Sequence, residues 1–127
     1  MKHIVILKQT FFNMILSGEK IIESRWSMHK IAPYNKVSIG DEILIKETGK
    51  SVTATAKVKE VKYFELTPEI AEEIRIKYGK EIGIDKFKDW QNILQKKYCT
   101  LIWLSDVKTI DPIKVQRSNG SGWIVLK

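Results

Sequence analysis

The feature that most restricts the fold is a strict alternation of apolar and polar residues. Val52, Ala54, Ala56 and Val58 occupy every second position, and threonines and lysines lie between and after them, as far as Lys59. A period of two predicts a β-strand with one buried and one solvated face. Because two of the four inward residues are alanines, the space behind this strand is small. That favours a tightly curved sheet or a small barrel.

Five other segments are predicted to be strands or extended, from β-branched apolar runs or from turn residues at their ends. They are residues 3–7, 20–26, 42–47, 98–107 and 122–126. The Gly40-Asp41 turn precedes the third of these segments, and Pro112 is predicted to break the fourth. The chain therefore contains about six strands.

Three helices are predicted between the strands. Thr10 is the expected cap of a helix over 11–17 that ends at Gly18. Thr67 and Pro68 begin a second helix, whose apolar stripe is Ile70, Ile74 and Tyr78 and which is expected to end at Gly79. A third helix is expected over 86–97, with Phe87, Trp90 and Leu94 on one face. This pattern predicts an α+β fold: a curved, mostly antiparallel β-barrel with about three helices packed beside it.

Length and composition restrict the class of protein. The 127 residues suit a single domain over 1–127, and the net charge of +7 favours anionic partners such as nucleic acid. One cysteine and two histidines make a zinc site unexpected, and we expect no metal and no cofactor. The longest apolar run near the start is only 4–7, so we expect no membrane segment and a soluble, cytoplasmic protein.

The strongest candidate site follows the first helix. Lys20, Glu23 and Arg25 place two cations around one carboxylate within six residues. In a flat strand Glu23 and Arg25 share a face and Lys20 points the other way, so all three converge only if the chain bends between Gly18 and Lys20. A solvated strand with an ordinary surface ion pair is the alternative interpretation of the pattern.

The helix followed by Gly18-x-Lys20-x-x-Glu23-x-Arg25, the segment Val37-x-x-Gly40-Asp41-Glu42-Ile43 and the alternating strand together resemble the ASCH (activating signal cointegrator homology) domain family. The resemblance covers essentially the whole chain. It implies a PUA-like β-barrel. It also implies a cleft between barrel and helices that is lined by Lys20, Glu23 and Arg25 and binds RNA or a nucleotide-like ligand.

The resemblance also implies a catalytic alternative. Some small bacterial members are amidohydrolases that deacetylate N(4)-acetylcytidine, and others are described as ribonucleases. In the amidohydrolases a lysine matches Lys20, a threonine lies three residues later, where this chain has Glu23, and a glutamate lies early in the helix after the long strand, near Glu72 or Glu73. In the enzyme interpretation, Lys20 and Glu23 would act as acid and base.

Several other residues are candidates for ligand contacts. Trp26 could stack on a base, although packing against a helix is the favoured interpretation, and Lys46 could point into the cleft or into solvent. Lys57, Lys59 and Lys62, on a solvated strand, and Arg117, beside a glycine-rich segment over 118–122, could contact a phosphate backbone. For the three lysines, a solvated face is the favoured alternative.

Overall fold

In a computed structural model of the chain, which describes residues 1–83, 90–115 and 122–126, helices pack around one curled sheet. The elements are β1 (Lys2–Leu7), α1 (Gln9–Ser17), β2 (Ile22–Ser27), β3 (Glu42–Glu47), β4 (Val52–Glu65), α2 (Pro68–Ile82), α3 (Trp90–Leu94), β5 (Tyr98–Ile113) and β6 (Trp123–Leu126). The predicted α+β class is confirmed.

The six strands form a single sheet in the order β2-β5-β4-β3-β1-β6. β1 pairs with β3 in parallel, and the other ladders of the described residues are antiparallel. The sheet curls into a half-barrel whose two edge strands are β2 and β6. Its open side therefore lies between these two strands.

The core has two parts, one on each face of the sheet. The inward residues of β4 predicted from the alternation are at most 2% exposed, and Ala54, Ala56 and Val58 pack inside the curl with residues of β1, β3 and α1. On the outer face, Ile74 and Ile82 of α2 pack against a cluster that includes Leu101 of β5. Burial of the alanines accounts for the tight curvature.

Several predicted boundaries are wrong, and α3 ends at Leu94 rather than at residue 97. Lys8, not Thr10, is the N-cap of α1, and its side chain makes no capping hydrogen bond. The helix α2 continues through a buried Gly79 and ends at Gly83, which has the left-handed conformation with φ of 84°. β5 continues through Pro112 to Ile113, where it is an exposed strand end at which a missing N–H is tolerated.

Candidate functional site

The start of β2 is positioned by the end of α1. Gly18 has the left-handed conformation, with φ of 83°, and its N–H donates to the carbonyl of Ile15. The next turn brings the N–H of Lys20 to the carbonyl of Met14, at 2.9 Å. The chain thus bends where convergence of the three charged residues requires it.

Lys20 is almost completely buried, with 3% of its surface exposed. Its ammonium group donates to the carbonyls of Ile22 and Ile82, both at 2.7 Å, and lies 3.2 Å from Oε1 of Glu23. Burial lowers the pKa of Lys20, and this effect outweighs the attraction of the Glu23 carboxylate. The three acceptors account for all three ammonium protons.

Glu23 is the centre of the cluster, and 4% of its surface is exposed. Its carboxylate accepts from the N–H of Ser24, contacts Lys20, and accepts from Nε of Arg25 at 2.9 Å. Burial alone would raise the pKa of the Glu23 carboxyl, but Arg25 and Lys20 together lower it below its usual value. Glu23 is therefore a buried anion that holds two cations in place.

Arg25 is the most accessible member, with 24% of its side chain exposed. Its Nη2 donates to the carbonyl of Ile6 at 3.2 Å, and its guanidinium lies 5.7 Å from the ring centroid of Trp123. A Cβ added at Gly122 would lie 2.4 Å from Nη1, so the absence of a side chain there leaves room for the guanidinium. Arg25 thus bridges the two edges of the half-barrel.

A series of buried hydrogen bonds runs from Trp123, which contacts Arg25, through His3 to Asp41. The sequence analysis did not predict it. Trp123 donates its indole N–H to Nδ1 of His3 at 3.1 Å, and Nε2 of His3 lies 2.8 Å from Oδ2 of Asp41. Since Nδ1 accepts, Nε2 carries the proton and donates to Asp41. Burial would raise the pKa of Asp41, but hydrogen bonds from His3, the Ser38 N–H and the N-terminal ammonium lower it.

The charged cluster lies on one wall of a cleft of about 360 Å³. The lining residues come from the end of β1, from α1, from β2 and from the segment around α3: Ile6, Leu7, Lys8, Phe11, Lys20, Glu23, Ser24, Arg25, Trp26, Ile93 and Lys96. Lys8, Phe11 and Lys96 were not singled out from the sequence. Lys8 and Phe11 lie at the start of α1 and Lys96 follows α3, and no local spacing indicates that the two segments meet.

Trp26 both packs and lines the cleft. Its ring meets that of Trp90 edge to face, with centroids 5.9 Å apart, which agrees with the favoured interpretation of packing against a helix. Its indole N–H donates to the hydroxyl of Ser24 at 3.0 Å. The ring is thereby held at the cleft wall in a fixed orientation.

The remaining candidates that the structure describes do not line the cleft. Lys46 is half-buried on β3, and Lys57 and Lys59 are exposed on β4. Glu72 is paired with Arg75 on the surface of α2, and Glu73 is exposed on the same helix. Arg117, the glycine-rich segment as far as Ser121, and the start of the predicted helix at 86–89 lie outside the described residues.

Two features that would change the class of site are absent from the described residues. In residues 1–83, 90–115 and 122–126, no helix is both long and apolar enough to cross a bilayer. In the same part of the chain, no group of three or more His, Cys, Asp or Glu side chains is arranged to hold a metal ion.

Comparison with solved structures shows the fold. The ASCH protein of Zymomonas mobilis is similar over 99% of this chain and 87% of its own, with a TM-score of 0.72 and 19% identity. A single-substitution mutant of that protein is similar over 88% of this chain and 72% of its own, with a TM-score of 0.66 and 22% identity.

Comparison of sequences gives the family. No curated protein matches this chain. The sequence model described as the ASCH domain, however, matches residues 5–114, which include every described element except β6 and the first residues of β1. The chain therefore belongs to the ASCH domain family.

Proposed function

We propose that this protein binds RNA or a nucleotide in the cleft beside Lys20, Glu23 and Arg25. The observation that carries the proposal is the accessible guanidinium of Arg25, which is held at the cleft wall by a buried carboxylate. A cation that is fixed in place before the ligand arrives loses little conformational entropy on binding. The family is associated with RNA binding, which agrees with this assignment.

The size and walls of the cleft suit one nucleotide. Its volume of about 360 Å³ lies at the lower end of the range for small-molecule sites. Phe11, Trp26 and Ile93 supply apolar surface, and aromatic faces stack on any base. A single base with its sugar and phosphate therefore fits better than a folded RNA element.

Two lysines favour an anionic group at the rim. Lys8 and Lys96 both line the cleft, and they add charge to that of Arg25. Lys8 is also the N-cap of α1, where no side chain of the described residues caps the first turn. Backbone N–H groups at an uncapped helix start can donate to a phosphate. The rim thus offers both charge and hydrogen-bond donors to the backbone of a nucleotide.

The contacts of Lys20 and Glu23 favour binding over hydrolysis. The ammonium protons of Lys20 already have three acceptors, and the Glu23 carboxylate is surrounded by Lys20, Arg25 and the Ser24 N–H. An acid–base pair needs a free position for substrate or water. We therefore assign Lys20 and Glu23 to positioning Arg25, and the amidohydrolase or ribonuclease alternative is not favoured.

The test is a binding titration of a short fluorescent single-stranded RNA and of mononucleotides, followed by anisotropy and by thermal shift. We expect Arg25→Gln to weaken RNA binding about ten- to hundredfold, the usual effect of removing one charge-assisted hydrogen bond. Arg75→Gln is the matched control, since Arg75 also pairs with a glutamate but lies on the surface of α2. Equal affinity of wild type and Arg25→Gln, or an equal weakening with Arg75→Gln, would refute the proposal.

A further inference from the structure

A second cationic surface lies between α2 and β4, outside the cleft. We define the Tyr78 patch as Lys62, Lys77, Tyr78 and Trp103. Nζ of Lys62 donates to the Tyr78 hydroxyl at 3.3 Å, and Nζ of Lys77 lies 5.2 Å from the centre of the same ring. Lys62 also lies 5.5 Å from the ring centre of Trp103. Two ammonium groups therefore converge on one phenol.

The aromatic rings hold the two lysines in position. Tyr78 and Trp103 meet edge to face, with centroids 5.3 Å apart and planes at 88°. Trp103 is only partly buried and packs at the edge of the outer-face cluster. Lysine side chains are flexible, and these ring contacts restrict the positions of the two ammonium groups.

The lysines of the patch have no carboxylate partner among the described residues. Lys2, Lys50 and Lys108 each form an ion pair with a carboxylate. Across the described ranges, no carboxylate lies within ion-pair distance of Lys62 or Lys77, although Glu73 lines the same depression of about 180 Å³. Burial alone would raise the pKa of Tyr78, but the two lysines lower it, which indicates a positive local potential.

We propose that Lys62, Lys77 and the Tyr78 hydroxyl bind a phosphate group of a single-stranded RNA. A phosphate offers several acceptor oxygens, which match two ammonium groups and one hydroxyl. The ammonium groups already lie against the Tyr78 ring, so the patch is suited to a phosphate rather than to a base. The choice of RNA as the phosphate's source rests on the proposed function, whereas the phosphate site does not.

The patch and the charged cluster both contact α2. Tyr78 and Ile82 are four residues apart on α2, about 6 Å along the helix axis. The carbonyl of Ile82 accepts from Lys20 in the charged cluster. Tyr78 and Ile82 therefore place the patch and the charged cluster about one turn apart along α2.

The first experiment measures RNA affinity against salt concentration for wild type and Lys62→Ala/Lys77→Ala. We expect the double variant to bind about five- to tenfold more weakly at about 0.1 M salt. We also expect the slope of log K against log salt to become shallower by about 0.7 for each phosphate that is no longer neutralised by a lysine. Lys36→Ala/Lys114→Ala removes the same charge from two exposed lysines outside the patch. Equal effects of the two double variants would refute the site, because only the total charge would then matter.

The second experiment separates failure of the site from failure of the proposed function. Inorganic phosphate is titrated while the indole N–H signals of Trp103 and Trp90 are followed by NMR. Trp90 is the internal reference, since its N–H donates to Glu72. We expect a saturable shift of the Trp103 signal that disappears in Lys62→Ala/Lys77→Ala and is reduced in Tyr78→Phe. Such a shift without RNA binding by wild type would support the phosphate site and refute RNA as its source. No shift of Trp103 would refute the site itself.

Discussion

Replacing Glu23 with glutamine tests whether the charged cluster is a buried network or a surface ion pair. The substitution keeps the shape of the side chain and removes its charge. The glutamine amide has one acceptor oxygen in place of two carboxylate oxygens, so either Lys20, 3% exposed, or Arg25 then faces an N–H donor, and neither keeps a buried anion. Breaking one partner of a buried ion pair costs about 3–5 kcal/mol. We expect Glu23→Gln to lower the free energy of unfolding by about 3 kcal/mol, because Lys20 retains two hydrogen bonds and Arg25 is accessible to water.

The pH dependence of this destabilisation has a defined sign. The folded-state pKa of Glu23 lies below its unfolded value, so the carboxylate stabilises the fold above the unfolded pKa of about 4.3. That contribution disappears as the pH falls through the folded-state pKa. The stability difference between wild type and Glu23→Gln should therefore be largest near neutral pH and shrink below about pH 4.

The assay is urea unfolding followed by tryptophan fluorescence at several pH values. Glu72→Gln is the matched control, since Glu72 also pairs with an arginine but is exposed, and it should be destabilised much less. A destabilisation below about 1 kcal/mol for Glu23→Gln near pH 7 would place the pair in the range of surface ion pairs. An equal destabilisation at acidic and at neutral pH would refute a stabilising role for the charge of the Glu23 carboxylate.

Three further substitutions or probes have expected outcomes. Thr67→Ala removes the acceptor of the Ile70 N–H at the start of α2 and should cost about 1 kcal/mol in chemical unfolding. Gly122→Ala should displace the guanidinium of Arg25, with which the added Cβ would collide, and weaken RNA binding while secondary structure by circular dichroism stays unchanged. Cys99 is completely buried and burial raises its thiol pKa, so a thiol reagent should modify it only as fast as the protein unfolds.

The strand pattern could be predicted because it depends on neighbours along the chain. The alternation from Val52 to Val58 predicted both the strand and its buried face, and it agrees with the burial observed. The end of α2 could not be predicted, since Gly79 and Gly83 carry the same local signal. Gly79 is buried within the helix, and tertiary packing overrides its weak helix propensity.

The candidate site could be predicted in part, because the bend that forms it depends on neighbours along the chain. The bend at Gly18 that brings Lys20, Glu23 and Arg25 together follows from a helix-ending glycine. Lys8 and Lys96, which also line the cleft, come from segments that meet only in the folded protein. The support of Arg25 by Trp123 likewise joins the two ends of the chain, which no local spacing indicates.

The most direct test of the central claim is NMR of the side-chain N–H groups during titration with a short single-stranded RNA. We expect the Nε signal of Arg25 and the indole signal of Trp26 to shift and saturate together, because both residues line the cleft. The Nε signal of Arg75, on the surface of α2, should stay unchanged. Unchanged signals of Arg25 and Trp26 at saturating RNA would refute RNA binding in the cleft.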